Sequence, residues 1–556
     1  MPDRTTIVPA KHQPPLPAER LLLREAPDDE AVPMDVVFVG GGPAGLAGAI
    51  ELAKLVKHDN ENGGGIGDIE IAVLEKAGAL GEHTLSGAVI NPGPFRELFP
   101  DIQDEDFPFR APVTNERVYM LRDGGAIRIP TPPTMQNHGN HIASLCEVVR
   151  WMGEQAEALG VNVFTGFPAD ALLMDGENVV GVRTTPTGLD RSGGEGSGYQ
   201  PPTDITARVV ALSEGTRGTL AQAFFEAQQI ASENPQIYAL GVKEIWETKQ
   251  PLDAIVHTLG WPLPGDAFGG SFMYPLEPNV VALGLVVGLD YHDARLDVHA
   301  LLQRLKTHPL FRDVLDGGEM VEWGAKTIPE GGYYAIPSRR SGNGVVVLGD
   351  SAGYVEVASL KGVHYAVQSG ILAARAIFDG LKKGDVSQSS LAAYDRAVDD
   401  SFITSDLRRR RNMRLAFKSG FWMGGIKSVL MTVTNGAFPG GRIASAPDAA
   451  EPRTLDGAAS PAFTPDGKLT FSKLDAVFKA GNATRDDIPS HLVVGQDISP
   501  EVADFYEHMC PAGVYERDGD KLTVNAPNCV DCKATDVLGP RWTPREGGSG
   551  PSYRRM

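Results

Sequence analysis

Val36-Val37-Phe38-Val39-Gly40-Gly41-Gly42-Pro43-Ala44-Gly45-Leu46-Ala47-Gly48-Ala49-Ile50 is the stretch whose reading decides the fold. Four apolar, mostly β-branched residues predict a short buried strand. Glycines at G-x-G-x-x-G spacing follow at once, and small and aliphatic residues then open a helix. In that setting Gly40 permits the tight turn, Gly42 lets backbone N–H groups approach a pyrophosphate, and Gly45 lets helix and strand pack closely. The next strand, Ile69-Glu70-Ile71-Ala72-Val73-Leu74-Glu75-Lys76, closes on Glu75, an acid placed to bind ribose hydroxyls. The interval exceeds the usual ~20 residues, because the glycine-rich insert 60–67 lengthens the connection. The bland alternative is a glycine turn in some other α/β protein.

Composition bounds the rest. A chain of 556 residues, 42% hydrophobic and 22% charged, can bury a large core, and its length predicts about three or four domain-sized units. The net charge of −20 argues against general nucleic-acid binding. Four cysteines are too few for a disulfide framework, which points to a reducing compartment. No apolar run reaches the roughly eighteen residues of a spanning helix, and the proline-rich first thirty residues lack the apolar core of a signal peptide. The expected place is the cytoplasm, or the surface of its membrane.

Along the chain, 1–33 reads as an irregular arm, with Leu21-Leu22-Leu23 anchoring it to the body. A small-residue loop, Gly81-Glu82-His83-Thr84-Leu85-Ser86-Gly87-Ala88, is suited to cover a flat ring. Residues 145–161 carry a helical apolar stripe, 161–164 and 179–182 read as strands, and 190–199 as a loop tip. Arg208-Val209-Val210-Ala211-Leu212-Ser213-Glu214-Gly215 resumes the nucleotide fold. From 241 the texture changes to alternating strands rich in glycine and aromatics. Val345-Val346-Val347-Leu348-Gly349-Asp350 is one more buried strand, ending in Gly-Asp, and 362–381 reads as a helix. Residues 444–464 resemble a linker, and the segment from about Leu469, with three of the four cysteines, is expected to be separate.

The strand, the glycine turn, Glu75, the Glu214-Gly215 turn and the Gly349-Asp350 turn together resemble glutathione-reductase-like FAD oxidoreductases. Narrower stretches are similar to the electron transfer flavoprotein–ubiquinone oxidoreductase family, in family order from about 34 to 556. They are the 83–88 loop, 151–160, Gly269-Gly270-Ser271-Phe272, Cys510-Pro511-Ala512-Gly513-Val514-Tyr515-Glu516, Asn528-Cys529-Val530-Asp531-Cys532-Lys533 and 546–553. The resemblance implies a mixed α/β and α+β chain: an FAD-binding fold, an inserted quinone-binding domain and a C-terminal ferredoxin-like domain with a 4Fe–4S cluster. The implied boundaries are an arm at 1–33, FAD-binding segments at 34–240 and 341–445, a quinone domain at 241–340, a linker at 446–468 and the ferredoxin-like domain at 469–556. FAD contacts are expected from Val39, Gly40, Gly41, Gly42, Pro43, Ala44, Gly45, Glu75, Lys76, Ser86, Gly87, Glu214, Gly215, Gly349, Asp350 and Gly362. The implied partners are electron transfer flavoprotein, ubiquinone or menaquinone, and a membrane surface, with no nucleic acid. The implied place is the cytoplasmic face of the inner membrane. The family's quinone-contacting glycines fall on Gly269 and Gly270, where bare backbone N–H groups can bond a quinone carbonyl. A glycine bulge in a strand is the competing reading.

The family's four cluster ligands fall on Cys510, Cys529, Cys532 and Thr535. A neutral hydroxyl is a poor iron ligand beside thiolates. Four readings stay open: a three-cysteine cluster, either 3Fe–4S or 4Fe–4S with an open iron; Asp536 as a substitute ligand; zinc on three cysteines and His508; or no metal. Cys146 lies on a core helix and reads as packing. Pro329 and Val363 stand where the family has asparagine and threonine, which removes two side-chain hydrogen bonds toward the flavin.

Arg408-Arg409-Arg410-Arg411-Asn412-Met413-Arg414 precedes the apolar run 417–431. A basic cluster beside Trp, Phe and Met suits an anionic lipid surface, against the alternative of a buried helix with a solvated charge run. Two functions compete: a membrane-peripheral enzyme passing electrons to a quinone, and a flavoprotein reductase of the geranylgeranyl-reductase type acting on an apolar substrate. No general acid–base pair is nominated.

Overall fold

The computed structural model describes residues 6–455, 464–519 and 521–556; the start of the arm and the middle of the linker lie outside them. Val36–Val39 is buried on both faces, which suits a central strand. It lies in a six-stranded sheet ordered Asn162–Thr165, Ile71–Glu75, Val36–Val39, Val209–Leu212, Val345–Val347 and Ser341–Gly342. All neighbours are parallel except the last pair. Val39 sits level with Leu74 and Leu212, so Gly40, Glu75 and Ser213 emerge together at the carboxyl edge, where open α/β sheets bind ligands. Helix Pro43–Glu61 packs against Val363–Lys383, and glycines bring the two close. A Cβ at Gly370 would stand 2.3 Å from the Ala44 carbonyl oxygen, and one at Gly48 2.4 Å from the Phe38 ring.

A seven-stranded sheet forms the second body: Glu319–Pro329, Tyr238–Glu247, Val280–Gly288, Gly269–Glu277, Ile255–Gly260, Glu116–Arg122 and Gly125–Ile129. The hairpin of the last two strands comes from the earlier, nucleotide-binding part of the sequence. It joins by parallel pairing of Ile255–Gly260 with Glu116–Arg122.

Four expectations need correction. The arm is not irregular: Leu22–Leu23 pairs with Leu172–Leu173, Val32–Pro33 pairs with Ile205–Thr206, and Leu21 is fully buried. Pairing at the sheet edge helps take Leu21 and Leu22 out of water. The 190–199 tip includes a strand, Glu195–Gln200, paired with Thr187–Leu189. The linker is partly tethered: Arg453–Thr454 pairs with Thr6–Ile7, and buried Arg453 donates to the carbonyls of Tyr291, Leu289 and Asp448.

The fourth correction concerns the C-terminal segment, which is not a separate body. Its helices Lys473–Lys479, Pro500–Met509 and Ala534–Leu538 share one apolar core with the seven-stranded sheet. Trp246 packs on Phe471, and Trp323 and Phe505 are fully buried in the same core. The Thr327 amide donates to the Cys532 carbonyl at 2.9 Å. Apolar faces on both sides of this boundary remove more area from water together than either could alone.

Candidate functional site

The three glycines of the opening loop have distinct surroundings. Gly40 has φ +112°, and a Cβ there would strike the Ser213 carbonyl oxygen at 2.3 Å. At Gly45 a Cβ would lie 2.1 Å from the Gly40 carbonyl oxygen and 2.6 Å from Ser213 Oγ. At Gly42 it would meet nothing within 4 Å. Gly42 caps helix Pro43–Glu61 with no side chain over its first N–H groups, which leaves an open anion cradle at a helix N-terminus. Glu75 holds the loop from the neighbouring strand: Gly41 N–H donates to Oε2 at 2.9 Å and Ala77 N–H to Oε1 at 2.8 Å.

Two later turns close on the cradle. Gly349, at φ +57°, leaves room for a Cβ only 3.0 Å from the Ala44 methyl. Ser351 Oγ donates to the Gly215 carbonyl at 3.0 Å, joining the Glu-Gly and Gly-Asp turns. Gly362 caps helix Val363–Lys383. Burial pushes the Asp350 carboxyl up to about 6, against the Lys326 ammonium and the Thr216 hydroxyl. Asp350 also lines a cavity of about 300 Å³ with Arg217, Tyr238, Ser351 and Arg541. The residues fit a dinucleotide: an open glycine cradle, an acid level with the ribose position and a buried acid on the facing turn.

Three of the expected contacts have other work. The Glu214 carboxylate accepts the Leu220 and Ala221 amides, capping helix Thr219–Ala227. Lys76 reaches away, to Asp531 at 2.8 Å. Ser86 Oγ accepts the Ala88 amide and Gly87 is exposed. Their loop is bonded to Cys146, whose Sγ donates to the Thr84 carbonyl at 3.0 Å. Burial pushes the Cys146 thiol up to about 12, as expected of a packing residue. Pro329 ends a strand, and Val363 opens the helix beyond Gly362.

Gly269 and Gly270 begin a strand opposite Val287 and Val286. A Cβ would lie 2.1 Å from the Val286 carbonyl oxygen at Gly269 and 2.7 Å from that of Thr258 at Gly270. Strand crowding therefore requires glycine at both positions, whatever else they do. Phe268, one residue before, packs on Phe417 at 5.2 Å, and Phe417 on Phe421 at 6.1 Å. Phe421 opens the helix Phe421–Val433. On that helix Trp422 (79% exposed), Ile426, Val429 and Val433 (78%) make one bare apolar face. The basic cluster is largely consumed inside: buried Arg414 pairs with Glu330 and Asp290, and Arg410 with Glu356. Arg408 and Arg409 stay exposed.

Cys510, Cys529, Cys532 and Thr535 line one small pocket. Its other walls are Leu492, Met509, Pro511, Ala512, Val514, Tyr515, Val530 and Ala534. The three thiols fit three corners of an iron–sulfur cluster; Thr535 does not supply a fourth thiolate. Behind Cys529, Asp531 accepts from Lys76, from Arg545 at 3.0 Å and from Trp542 Nε1 at 3.0 Å. His491, with no hydrogen-bond partner on either ring nitrogen among the described residues, lies beside them. Sequence reasoning missed Tyr515, Asp531, Arg545 and His491; only Tyr515 and Asp531 lay inside stretches whose pattern had drawn notice.

A dinucleotide cradle, a large antiparallel sheet and a cysteine-lined cavity in one chain define a flavoprotein oxidoreductase with an iron–sulfur domain. Family models match the sheet and the last domain: "ETF-QO, ubiquinone-binding" over residues 238–328 and "Electron transfer flavoprotein-ubiquinone oxidoreductase, 4Fe-4S" over 467–554. The mitochondrial electron transfer flavoprotein-ubiquinone oxidoreductase of Oryza sativa subsp. japonica is 38% identical, across 95% of this chain and 94% of that protein. A probable electron transfer flavoprotein-ubiquinone oxidoreductase of Acinetobacter baylyi is 34% identical, across 95% and 99%. This chain belongs to the electron transfer flavoprotein-ubiquinone oxidoreductase family. A geranylgeranyl bacteriochlorophyll reductase-like protein of Thermoplasma acidophilum shares the fold at TM-score 0.57 and 17% identity, over 73% of this chain and 92% of that one. That likeness is one of fold alone.

Proposed function

We propose that this protein takes electrons from reduced electron transfer flavoprotein and delivers them to ubiquinone, or to menaquinone, at a membrane surface. The observation that carries this reading is the aromatic path Phe421–Phe417–Phe268, which leads from a bare apolar helix face to Gly269 and Gly270. An isoprenoid quinone needs such an apolar approach, with polar groups at its end to orient the ring.

FAD, when bound, supplies the chemistry that matches single-electron donors to a two-electron acceptor. The chain's own residues then have distinct tasks. The amides at the start of helix Pro43–Glu61 would hold the pyrophosphate beside Gly42, Glu75 would bind the ribose, and Asp350 would meet the cofactor from the facing turn. Gly269 and Gly270 are the candidate quinone contacts. Cys510, Cys529 and Cys532 would hold the iron–sulfur cluster. No helix among the described residues is long and apolar enough to cross a membrane. The Trp422–Val433 face therefore supports peripheral attachment, here proposed at the cytoplasmic face of the inner membrane.

The test is stopped-flow spectroscopy of the flavin-loaded protein. Reduced electron transfer flavoprotein should bleach its flavin absorbance, and ubiquinone or menaquinone in detergent should restore it. Bleaching without reoxidation by either quinone would remove the quinone half of the reading.

A further inference from the structure

Thr535 stands at the family's fourth ligand position, and the structure engages its hydroxyl elsewhere. Thr535 Oγ1 donates to the Pro540 carbonyl at 3.2 Å, and Tyr515 Oη lies 2.6 Å away. Threonine has one hydroxyl proton and spends it on the carbonyl, so Tyr515 is the donor across the shorter contact. To bind iron as an alkoxide, Thr535 would give up that bond and place a charge among apolar walls.

The other candidate ligands are also committed. Asp536 accepts from Arg217 Nε at 2.6 Å and from the Trp542 amide at 3.2 Å. His508 shares Nδ1 with the Asp504 carbonyl at 2.8 Å and is not part of the cavity wall. His491 sits within 4.8 Å of Cys529 and Asp531 but also lies outside the cavity wall, which is formed there by Leu492. A zinc ion on the three thiols needs a fourth ligand, and neither His508 nor His491 belongs to the wall that the thiols line.

The geometry points to a 3Fe–4S cluster in this protein, with one iron on each of Cys510, Cys529 and Cys532. At the family's fourth ligand position stands the Tyr515–Thr535 hydroxyl pair in place of a thiolate. This rests on the family reading of the C-terminal domain and departs from it at one corner. Three thiolates anchor three irons; the fourth corner meets two neutral hydroxyls whose protons are already shared, and alanine, valine and methionine around them. Soft thiolates, not alcohols, retain iron in such clusters.

The test is iron and sulfide analysis per chain, with EPR, on protein purified anaerobically without added iron. The expected wild-type result is three irons per chain and a half-integer-spin signal in the oxidised protein that one-electron reduction removes. Thr535→Cys should raise the content to four irons and silence the oxidised spectrum, with a signal only on reduction. Four irons and a silent oxidised spectrum in the wild type would overturn the proposal. So would zinc, or no metal at all. A Thr535→Cys variant that keeps its FAD but still holds three irons would also overturn it, by showing that the missing thiol is not the cause. FAD content and quinone reduction, measured on the same preparation, report on the flavoenzyme reading independently of the metal count.

Discussion

The Lys76 ammonium lies 2.8 Å from the Asp531 carboxylate, and this contact joins the two redox regions of the molecule. Lys76 follows Glu75, the proposed ribose-binding acid, and Asp531 lies between Cys529 and Cys532, two of the proposed cluster ligands. Asp531 is buried, and Arg545 and Trp542 share its oxygens. Replacing Asp531 by alanine leaves buried Arg545 without its counter-charge, a loss of about 3–5 kcal/mol for a broken buried pair. The expected outcome is a lower urea midpoint together with loss of metal. An unchanged midpoint and metal content would show that the pair joins nothing of consequence.

Gly42 and Gly45 should fail in different ways. Gly42→Val projects its methyls into open space where the pyrophosphate would lie, so the protein should fold at near-normal stability yet come out colourless. Gly45→Val drives a side chain into the Gly40 carbonyl and Ser213, an overpacking cost of about 1–3 kcal/mol or more. Flavin absorbance and thermal unfolding, measured on both, separate the roles. Full flavin in Gly42→Val would contradict the cradle.

Membrane attachment should depend on the apolar face more than on charge. Two of the arginines near it are paired inside the protein, so binding to neutral vesicles should persist and salt should weaken it little. Burying a side chain such as Ile426 or Val429 contributes about 1.5–3 kcal/mol. Ile426→Ser with Val429→Ser should therefore lower vesicle partitioning by at least tenfold. Complete release from anionic vesicles by salt alone would show instead that the exposed Arg408 and Arg409 dominate.

Quinone reduction should survive loss of the cluster. The glycine cradle, Glu75 and Asp350 are all in place, and flavin chemistry alone can match single-electron donors to a pair acceptor. Cys529→Ala with Cys532→Ala is expected to keep FAD and most of the turnover with reduced electron transfer flavoprotein. Retained FAD with abolished turnover would make the cluster obligatory.

Sequence by itself determined the nucleotide fold and its opening loop. Strand, turn and helix there are contiguous, and each glycine answers to a neighbour within a few residues or on the adjacent strand. The apolar run 417–431 was legible from composition; that Trp422, Ile426, Val429 and Val433 share its bare face came only from the structure. The missing thiolate was legible from one residue type at one spacing. What filled its place was not: Thr535 meets Tyr515 from a hairpin twenty residues earlier, and Asp536 meets Arg217 across more than three hundred. Lys76 and Asp531 are separated by 455 residues, and nothing local marks either as the other's partner. The same holds for Arg414, which left a surface-like basic run for a buried pair with Glu330 and Asp290. A side chain's chemistry is written in the sequence; which long-range partner claims its few hydrogen bonds is decided only when the two cores close.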